Sequence, residues 1–443
     1  MIRDVDIKKI INKYSLSERN NVIEFVTTNP EKLNIDELSR IVELVNSERE
    51  ATAAYYTDKN TLDIIYKDLP YINKGVIKVL EPSVGAGNFL QIIIDRYSYA
   101  EKLIIDVNDI DEKSIEIVQL LNEYRNIPKN VIINYYTNDF LENNFANDYD
   151  LIIGNPPFSK KNKKNGLDIL SERYADTVTT NLSGFFLQES LLLSNNVVLI
   201  MPKYFLSNPD FKLTRSRCAE FTIDKIIDFG EKGFKGVLIE TIAIFINKIK
   251  PNNGITEVYS VTLDIKNKLT QNKLVSDEFP SWLIYRNDYF DTLASRMNFD
   301  IFTSTRDRQI TNKLLSDNGD IRVIKSRNIK RDGTGIKDLE GYDAYMSEEV
   351  AKELSIYQYI DRDDIYLCPN MTYYPRVIKK PKHVLVNGSV AMLFKKSNIE
   401  ITNSDLQFWS SSEFEEFYRI ARNRSTRSLN IDSNSVYFFG VIK

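Results

Sequence analysis

The residues best suited to chemistry lie in Asp150-Leu-Ile-Ile-Gly-Asn-Pro-Pro-Phe158, at the end of an apolar run that reads as a β strand. Pro156 and Pro157 remove two N–H donors and fix the backbone, leaving the Asn155 side-chain oxygen and the Pro156 carbonyl to accept from one NH₂ group. A nucleobase amino group is a poor nucleophile because its lone pair is delocalised into the ring. Two acceptors on its hydrogens favour a more tetrahedral nitrogen, whose lone pair can attack an electrophilic methyl in line. Phe158 offers a face for the base, and such stacking contributes roughly 1–3 kcal/mol.

Earlier in the chain, Val79-Leu-Glu-Pro-Ser-Val-Gly-Ala-Gly-Asn-Phe-Leu90 reads as a strand entering a glycine turn that opens a helix. Gly85 and Gly87 let the backbone turn sharply and approach a ligand with no Cβ in the way. The dinucleotide fingerprint needs a third glycine where Leu90 stands, and no Gly-Lys-Ser/Thr follows, so neither nucleotide pattern fits. About 20 residues on, Ile105-Asp-Val-Asn-Asp-Ile-Asp111 ends the next strand in acids. Asp109 is placed to accept from both hydroxyls of a ribose, with Asp111 the second choice. After the third strand, Asp139 of Asn138-Asp139-Phe140 can accept from the exocyclic amine of an adenine.

These groups need a scaffold that brings strand ends together. Between about 75 and 250, short β-rich apolar runs alternate with helical stretches, as in Val76–Leu80, Lys102–Asp106, Val131–Asn134, Tyr149–Gly154, Asn196–Met201, Lys225–Asp228 and Val237–Asn247. That alternation predicts an α/β fold, an open doubly wound sheet whose ligands bind beyond the carboxyl ends of its strands. Residues 1–50 read as a helical cap, with Leu38, Ile41, Val42 and Val45 at spacings of three and four. The expected division is a cap over 1–50, a catalytic domain over 51–250, a connecting segment over 251–294 after the break at Pro251-Asn-Asn-Gly254, and a C-terminal α+β domain over 295–443.

Together these motifs resemble the adenine-N6 DNA methyltransferases of restriction–modification systems, in the class whose cofactor motif precedes the catalytic motif and whose target-recognition domain is C-terminal. The resemblance implies a Rossmann-like methyltransferase sheet with S-adenosylmethionine as cofactor. It implies Tyr55 and Thr57 of Tyr55-Tyr-Thr-Asp58, and Glu81, Pro82, Ser83, Gly85 and Gly87, around the cofactor; Asp58 stands where the family usually has proline. Asp109 would hold the ribose with Ile110 beside it, and Asp139 and Phe140 the adenine. Asn155, Pro156, Pro157 and Phe158 would form the catalytic tetrad, with Asn155 also at the cofactor. Phe234, in Gly230-Glu-Lys-Gly-Phe-Lys-Gly-Val237, would pack against an extruded target base. A base inside a duplex cannot reach the clamp, so it must be flipped out at a cost of a few kcal/mol. Lys160, Lys161, Lys163 and Lys164 are candidates to grip the backbone phosphates beside it.

Beyond 295 the basic residues fall in windows: Arg322, Lys325, Arg327, Lys330 and Arg331; Arg376, Lys379, Lys380 and Lys382; Arg419, Arg422, Arg424 and Arg427. With Tyr373 and Tyr374 they resemble target-recognition domains, and Arg327, Arg422 and Arg424 are the DNA-contact candidates. Net charge is −4, so it gives no evidence for nucleic acid, and any such role rests on local patches. Cys218, Cys368 and the single His383 lack the clustered spacing of a metal site, and no metal is expected. The cysteine count, the charged start and the lack of a long apolar run predict a cytoplasmic protein with no membrane span.

The expected partners are double-stranded DNA and a separately encoded restriction endonuclease, with a monomer favoured. No nuclease domain is expected within the chain, because the N-terminal segment is short and lacks an acid–acid–lysine cluster. The competing reading is an S-adenosylmethionine-dependent N-methyltransferase acting on RNA or on a protein glutamine amide, since similar clamps serve those amines. A non-catalytic nucleic-acid-binding module is the third.

Overall fold

The computed structural model describes residues 4–45, 57, 59–142, 145–163, 166–175, 178–233, 239–250, 254–372, 374–425 and 429–443. The chain divides into two compact units, Met1–Val275 and Ser276–Lys443.

The first unit is built on a nine-stranded sheet. Its strands are β1 Val76–Glu81, β2 Lys102–Asp109, β3 Val131–Thr137, β4 Leu151–Gly154, β5 Asn196–Pro202, β6 Thr222–Gly230, β7 Thr241–Asn247, β8 Ile255–Ser260 and β9 Ile265–Thr270. They lie in the order β3-β2-β1-β4-β5-β7-β6-β8-β9. β3, β2, β1, β4 and β5 pair in parallel, β7 runs antiparallel between β5 and β6, and β9 pairs antiparallel with β8. β4, β5 and β7 are buried along their whole length, as near-continuous apolar runs should be when helices cover both faces.

From β1 the chain moves outward through β2 to β3, then returns to lay β4 on the other side of β1. The order therefore reverses between β1 and β4, and that switch point opens a crevice beyond their carboxyl ends. The helices up to β5 are α1 Asp4–Lys13, α2 Arg19–Thr28, α3 Ile35–Val45, α4 Lys59–Asp68, α5 Asn88–Tyr97, α6 Glu112–Asn122, α7 Leu167–Arg173 and α8 Leu182–Leu193, and α2, α3, α5, α6 and α8 line the crevice. Leu38 and Ile41 of α3 are fully buried, in a cluster that also takes in Ala86 of the glycine turn and Ile117 and Leu121 of α6.

The described part of the expected connecting segment, 254–294, belongs to the two units themselves. Ile255–Ser260 pairs with β6, Ile265–Thr270 extends the sheet, and everything from Ser276 belongs to the second unit. The break at Pro251–Gly254 precedes a strand of the same sheet, because turn residues mark strand ends and domain ends alike.

The second unit is α+β. A four-stranded antiparallel sheet takes strands from Phe302–Thr305, Val390–Lys395, Tyr366–Pro369 and Ile378–Lys379, and a mixed three-stranded sheet takes Tyr345–Met346, Ile321–Ile324 and Val384–Val386. Its core includes stacked rings, with Phe290 and Phe417 centred 4.5 Å apart, and a buried Trp409 whose indole donates to the Gly440 carbonyl at 2.8 Å. Among the described residues no helix is long and apolar enough to cross a membrane.

Candidate active site

The glycine turn after β1 is held from beneath. The Val84 N–H donates to the Asn108 carbonyl at 2.8 Å and the Gly87 N–H to the Val84 carbonyl at 2.8 Å. Gly87 has φ +72 and caps α5, and a Cβ there would meet Leu90 at 3.0 Å and Val118 at 3.3 Å. Gly85 has φ +54 with nothing within 4 Å of where its Cβ would stand. One glycine is thus required by packing and the other leaves the cleft open.

The cleft has a volume of about 360 Å³, within the usual range for a small-molecule site. Thr57, Glu81, Pro82, Ser83, Gly85, Asp109, Ile110, Asp139, Phe140 and Asn155 line it, so most of the expected cofactor residues are brought together. Gly87 shapes the turn from behind. Tyr55, Lys164, Phe234, Tyr373 and Arg427 lie outside the described residues.

Asp109 accepts the Gly85 N–H at 3.0 Å and the Asp111 N–H at 3.1 Å, which ties the ribose-acid candidate to the glycine turn. Burial pushes its pKa up, and those two N–H donors oppose the shift. Ile110 beside it is 70% exposed, an apolar side chain at the cleft mouth. Asp139 accepts the Leu141 N–H at 3.0 Å. Glu81 is only 1% exposed, and its Oε2 has no hydrogen-bond partner among the described residues. Burial holds its pKa well above the usual carboxylate value, while the positive charge of Arg125 pulls it back.

Asn155 follows β4 directly, across the switch point from Glu81, and its backbone carbonyl accepts from the Ser83 hydroxyl at 3.2 Å. The clamp loop is pinned to the start of α8. Asn181 donates to the Phe158 carbonyl at 2.9 Å, the Leu182 N–H to the Ser159 carbonyl at 2.9 Å and the Lys161 N–H to the Thr180 carbonyl at 2.7 Å. Phe158 is 5% exposed and belongs to the sheet's core cluster with Ile227 and Phe229. Lys160 and Lys163 are exposed, and Lys161 lies at the cleft.

The structure adds residues that the motifs did not point to. Asn108, 1% exposed, donates through its amide to the carbonyls of Pro82 at 3.1 Å and Asn138 at 3.0 Å, joining the loops after β1 and β3. Arg125 donates to the Gly87 carbonyl at 2.9 Å. Val22, Val42 and Glu43 of the N-terminal helices line the cleft, and Arg19 grips Asp111 with two hydrogen bonds of 2.9 Å. Only the Asn-Asp spacing near 108–111 hinted at any of these in sequence.

The order β3-β2-β1-β4-β5-β7-β6, with β7 reversed and acids at the ends of β1, β2 and β3, defines a class I methyltransferase sheet. Comparison with known proteins narrows that class. Residues 20–234 match the model of the Eco57I restriction-modification methylase family, which supports the likeness to restriction–modification methyltransferases over that stretch. The chain is 27% identical over 241 residues to Type II methyltransferase M.VspI of Vibrio sp. (strain 343), covering 52% of this chain and 55% of that protein. It is 28% identical over 229 residues to Type II methyltransferase M.AccI of Acinetobacter calcoaceticus, covering 49% and 40%. The matched stretch thus spans about half the length of these relatives. Among solved structures, a nuclease-deletion mutant of the Type ISP restriction-modification enzyme LlaGI, in complex with a DNA substrate mimic, shares the fold at TM-score 0.50. That likeness comes with 11% identity and covers 91% of this chain and 56% of that one.

S-adenosylmethionine is the cofactor that the methyltransferase sheet and the matched stretch imply. The cleft fits it: Glu81 Oε2 and Asn108 Oδ1 are buried polar atoms awaiting a partner among the described residues, Gly85 leaves room for a close approach, and the lining acids suit a cationic ligand.

Proposed function

We propose that this chain methylates N6 of an adenine flipped out of duplex DNA, as the modification component of a restriction–modification system. The observation that carries the reading is that Asn155 opens onto the same switch-point cleft as Glu81, Asp109 and Asp139. When bound, S-adenosylmethionine supplies an electrophilic methyl on a sulfonium sulfur.

The chain's own residues bind and orient. Asp109 takes the ribose hydroxyls, Asp139 the adenine amine with Ile110 against the ring, and Glu81 faces the cationic methionine end. Arrival of positive charge beside Glu81 favours its ionised form, offsetting the burial that keeps its pKa high. At the other wall, the Asn155 amide oxygen and the Pro156 carbonyl accept the two hydrogens of the target amine and stabilise the positive charge that develops on nitrogen. An amide oxygen holds a proton without taking it, so the surplus proton leaves to solvent. Phe158, packed in the core cluster at the end of β4, anchors the loop that carries Asn155. Lys160, Lys161 and Lys163, beside the clamp, are proposed to steady the flanking phosphates.

The test is transfer of labelled methyl from S-adenosylmethionine to duplex DNA, RNA and protein fractions, with the product nucleoside identified. N6-methyladenine in duplex DNA is expected. Label confined to RNA, to glutamine amides or to cytosine overturns the reading.

A further inference from the structure

The basic windows of the second unit look alike in sequence, and their tertiary partners sort them. Arg419 pairs with Glu415 at 3.1 Å, Arg422 with Asp432 at 3.5 Å and Arg424 with Glu416. Lys380 is buried and donates to the carbonyls of Ile360 at 2.7 Å and Pro381 at 3.0 Å, and Lys382 meets Asp363 at 3.8 Å. Arg322 pairs with Asp338 at 2.6 Å and Asp343 at 3.3 Å. The expected DNA contacts at Arg422 and Arg424 are therefore already committed to carboxylates, which linear spacing could not reveal.

Lys325, Arg327 and Arg331 are different. Among the described residues none of the three makes an ion pair; each lies on a tyrosine ring instead. The Lys325 ammonium is 4.0 Å and the Arg327 guanidinium 4.7 Å from the centre of the Tyr342 ring, and Arg331 is 3.7 Å from that of Tyr374. Such contacts contribute about 0.5–1 kcal/mol each at exposed sites and orient a cation without neutralising it.

The backbone beneath is fixed. Arg376 donates to the carbonyls of Ile329 at 3.1 Å, Ser326 at 3.2 Å and Tyr374 at 3.0 Å, joining the loop to the turn that carries the second ring. Asn328 donates to the Lys337 carbonyl at 3.2 Å. The neighbouring acid, Asp332, takes hydrogen bonds from the Thr334 N–H at 3.0 Å and hydroxyl at 2.8 Å.

Like charges gathered without counter-charge repel one another, which opposes the modest gain from their ring contacts and leaves net positive charge unmatched within the fold. A polyanion matches it. A ring against each guanidinium satisfies none of its N–H donors, which remain for phosphate oxygens, and a held side chain loses little entropy on binding.

We propose that Lys325, Arg327 and Arg331, mounted on Tyr342 and Tyr374, form a phosphate-gripping surface for duplex DNA, and that the Arg419–Arg424 window takes no part. The identity of the polyanion rests on the methylation reading; the surface itself does not.

The experiment measures binding of the full chain to a fluorescent duplex of about 30 base pairs across a salt series, with an RNA hairpin of similar charge in parallel. Arg327→Ala with Arg331→Ala should weaken duplex binding at least about tenfold at physiological salt, equally on unrelated sequences, and lower the log–log salt slope by about two. Tyr342→Leu with Tyr374→Leu should cost several-fold and keep most of the slope. Arg419→Ala with Arg422→Ala should bind like the wild type, and all variants should keep the wild-type circular dichroism spectrum and melting profile, which reports that the second unit stays folded. Wild-type affinity and slope in the arginine double variant overturn the proposal, as does an RNA hairpin bound more tightly through these residues. If the wild type methylates nothing yet DNA binding depends on these arginines, the catalytic reading fails and the surface stands.

Discussion

The cleft between β1 and β4 and the loop 325–331 depart from charge neutrality in opposite ways. The cleft buries acids, with Glu81 enclosed and both Glu81 and Asp109 pushed to raised pKa values. The loop exposes cations and gives them rings instead of counter-ions. In each place the free chain leaves an electrostatic demand that a ligand of the opposite sign meets: a small cation in one, a polyanion at the other. Arg422 and Arg424, by contrast, already face carboxylates of their own unit.

The largest effect should come from the residue that meets charge only during reaction. Asn155→Ala is expected to lower kcat by about 10²–10³-fold with little change in the dissociation constant for S-adenosylhomocysteine, read by single-turnover transfer and calorimetry. Equal losses in both would make Asn155 a cofactor residue and break the division between binding and chemistry.

Asp109→Ala should do the reverse. Removing an acceptor from the ribose hydroxyls, and from the Gly85 N–H, is expected to raise the cofactor dissociation constant by roughly 10–100-fold, corresponding to about 1.5–3 kcal/mol for hydrogen bonds to a charged group. Titration calorimetry decides it, and an unchanged constant removes Asp109 from the site.

A smaller change is expected at Arg125, which supports the Gly87 carbonyl and opposes the raised Glu81 pKa. Arg125→Met should weaken the cofactor by about five- to tenfold near neutral pH, and the deficit should grow as the pH falls. Without the guanidinium, Glu81 protonates at higher pH and no longer faces a cation as a carboxylate. A pH-independent deficit would leave Arg125 a purely structural prop.

The smallest effect concerns stability. The folded chain binds a proton at Glu81 more tightly than the unfolded chain, so that contribution is present at low pH and is lost as pH rises through the folded value. Glu81→Gln removes the loss. The variant's melting temperature should exceed that of the wild type by a few degrees at alkaline pH, with the gap closing on acidification, while cofactor binding worsens. A gap that widened on acidification would reverse the sign assigned to Glu81.

Much of the catalytic unit was legible because its signals are local. Strand-forming runs followed by Gly85 and Gly87, by Asp109, by Asp139 or by Asn155 each place one polar group at a strand end, and a parallel sheet gathers such ends on one edge. Long-range partnership was not legible. Phe158 reads the same whether its ring faces a base or the core, and it faces the core. Arg125 carries no motif and Asn108 is only a neighbour within one, because both act through carbonyls that only folding brings near.

The sequence by itself determined where the reactive groups stand along the chain and that an α/β sheet carries them, since apolar periodicity, proline and glycine act over a few residues. Tertiary structure alone decided which charges remain available. Whether Arg331 meets a tyrosine and Arg424 meets Glu416 depends on segments brought together by packing, and burial, which sets the pKa of Glu81, exists only once the core has formed.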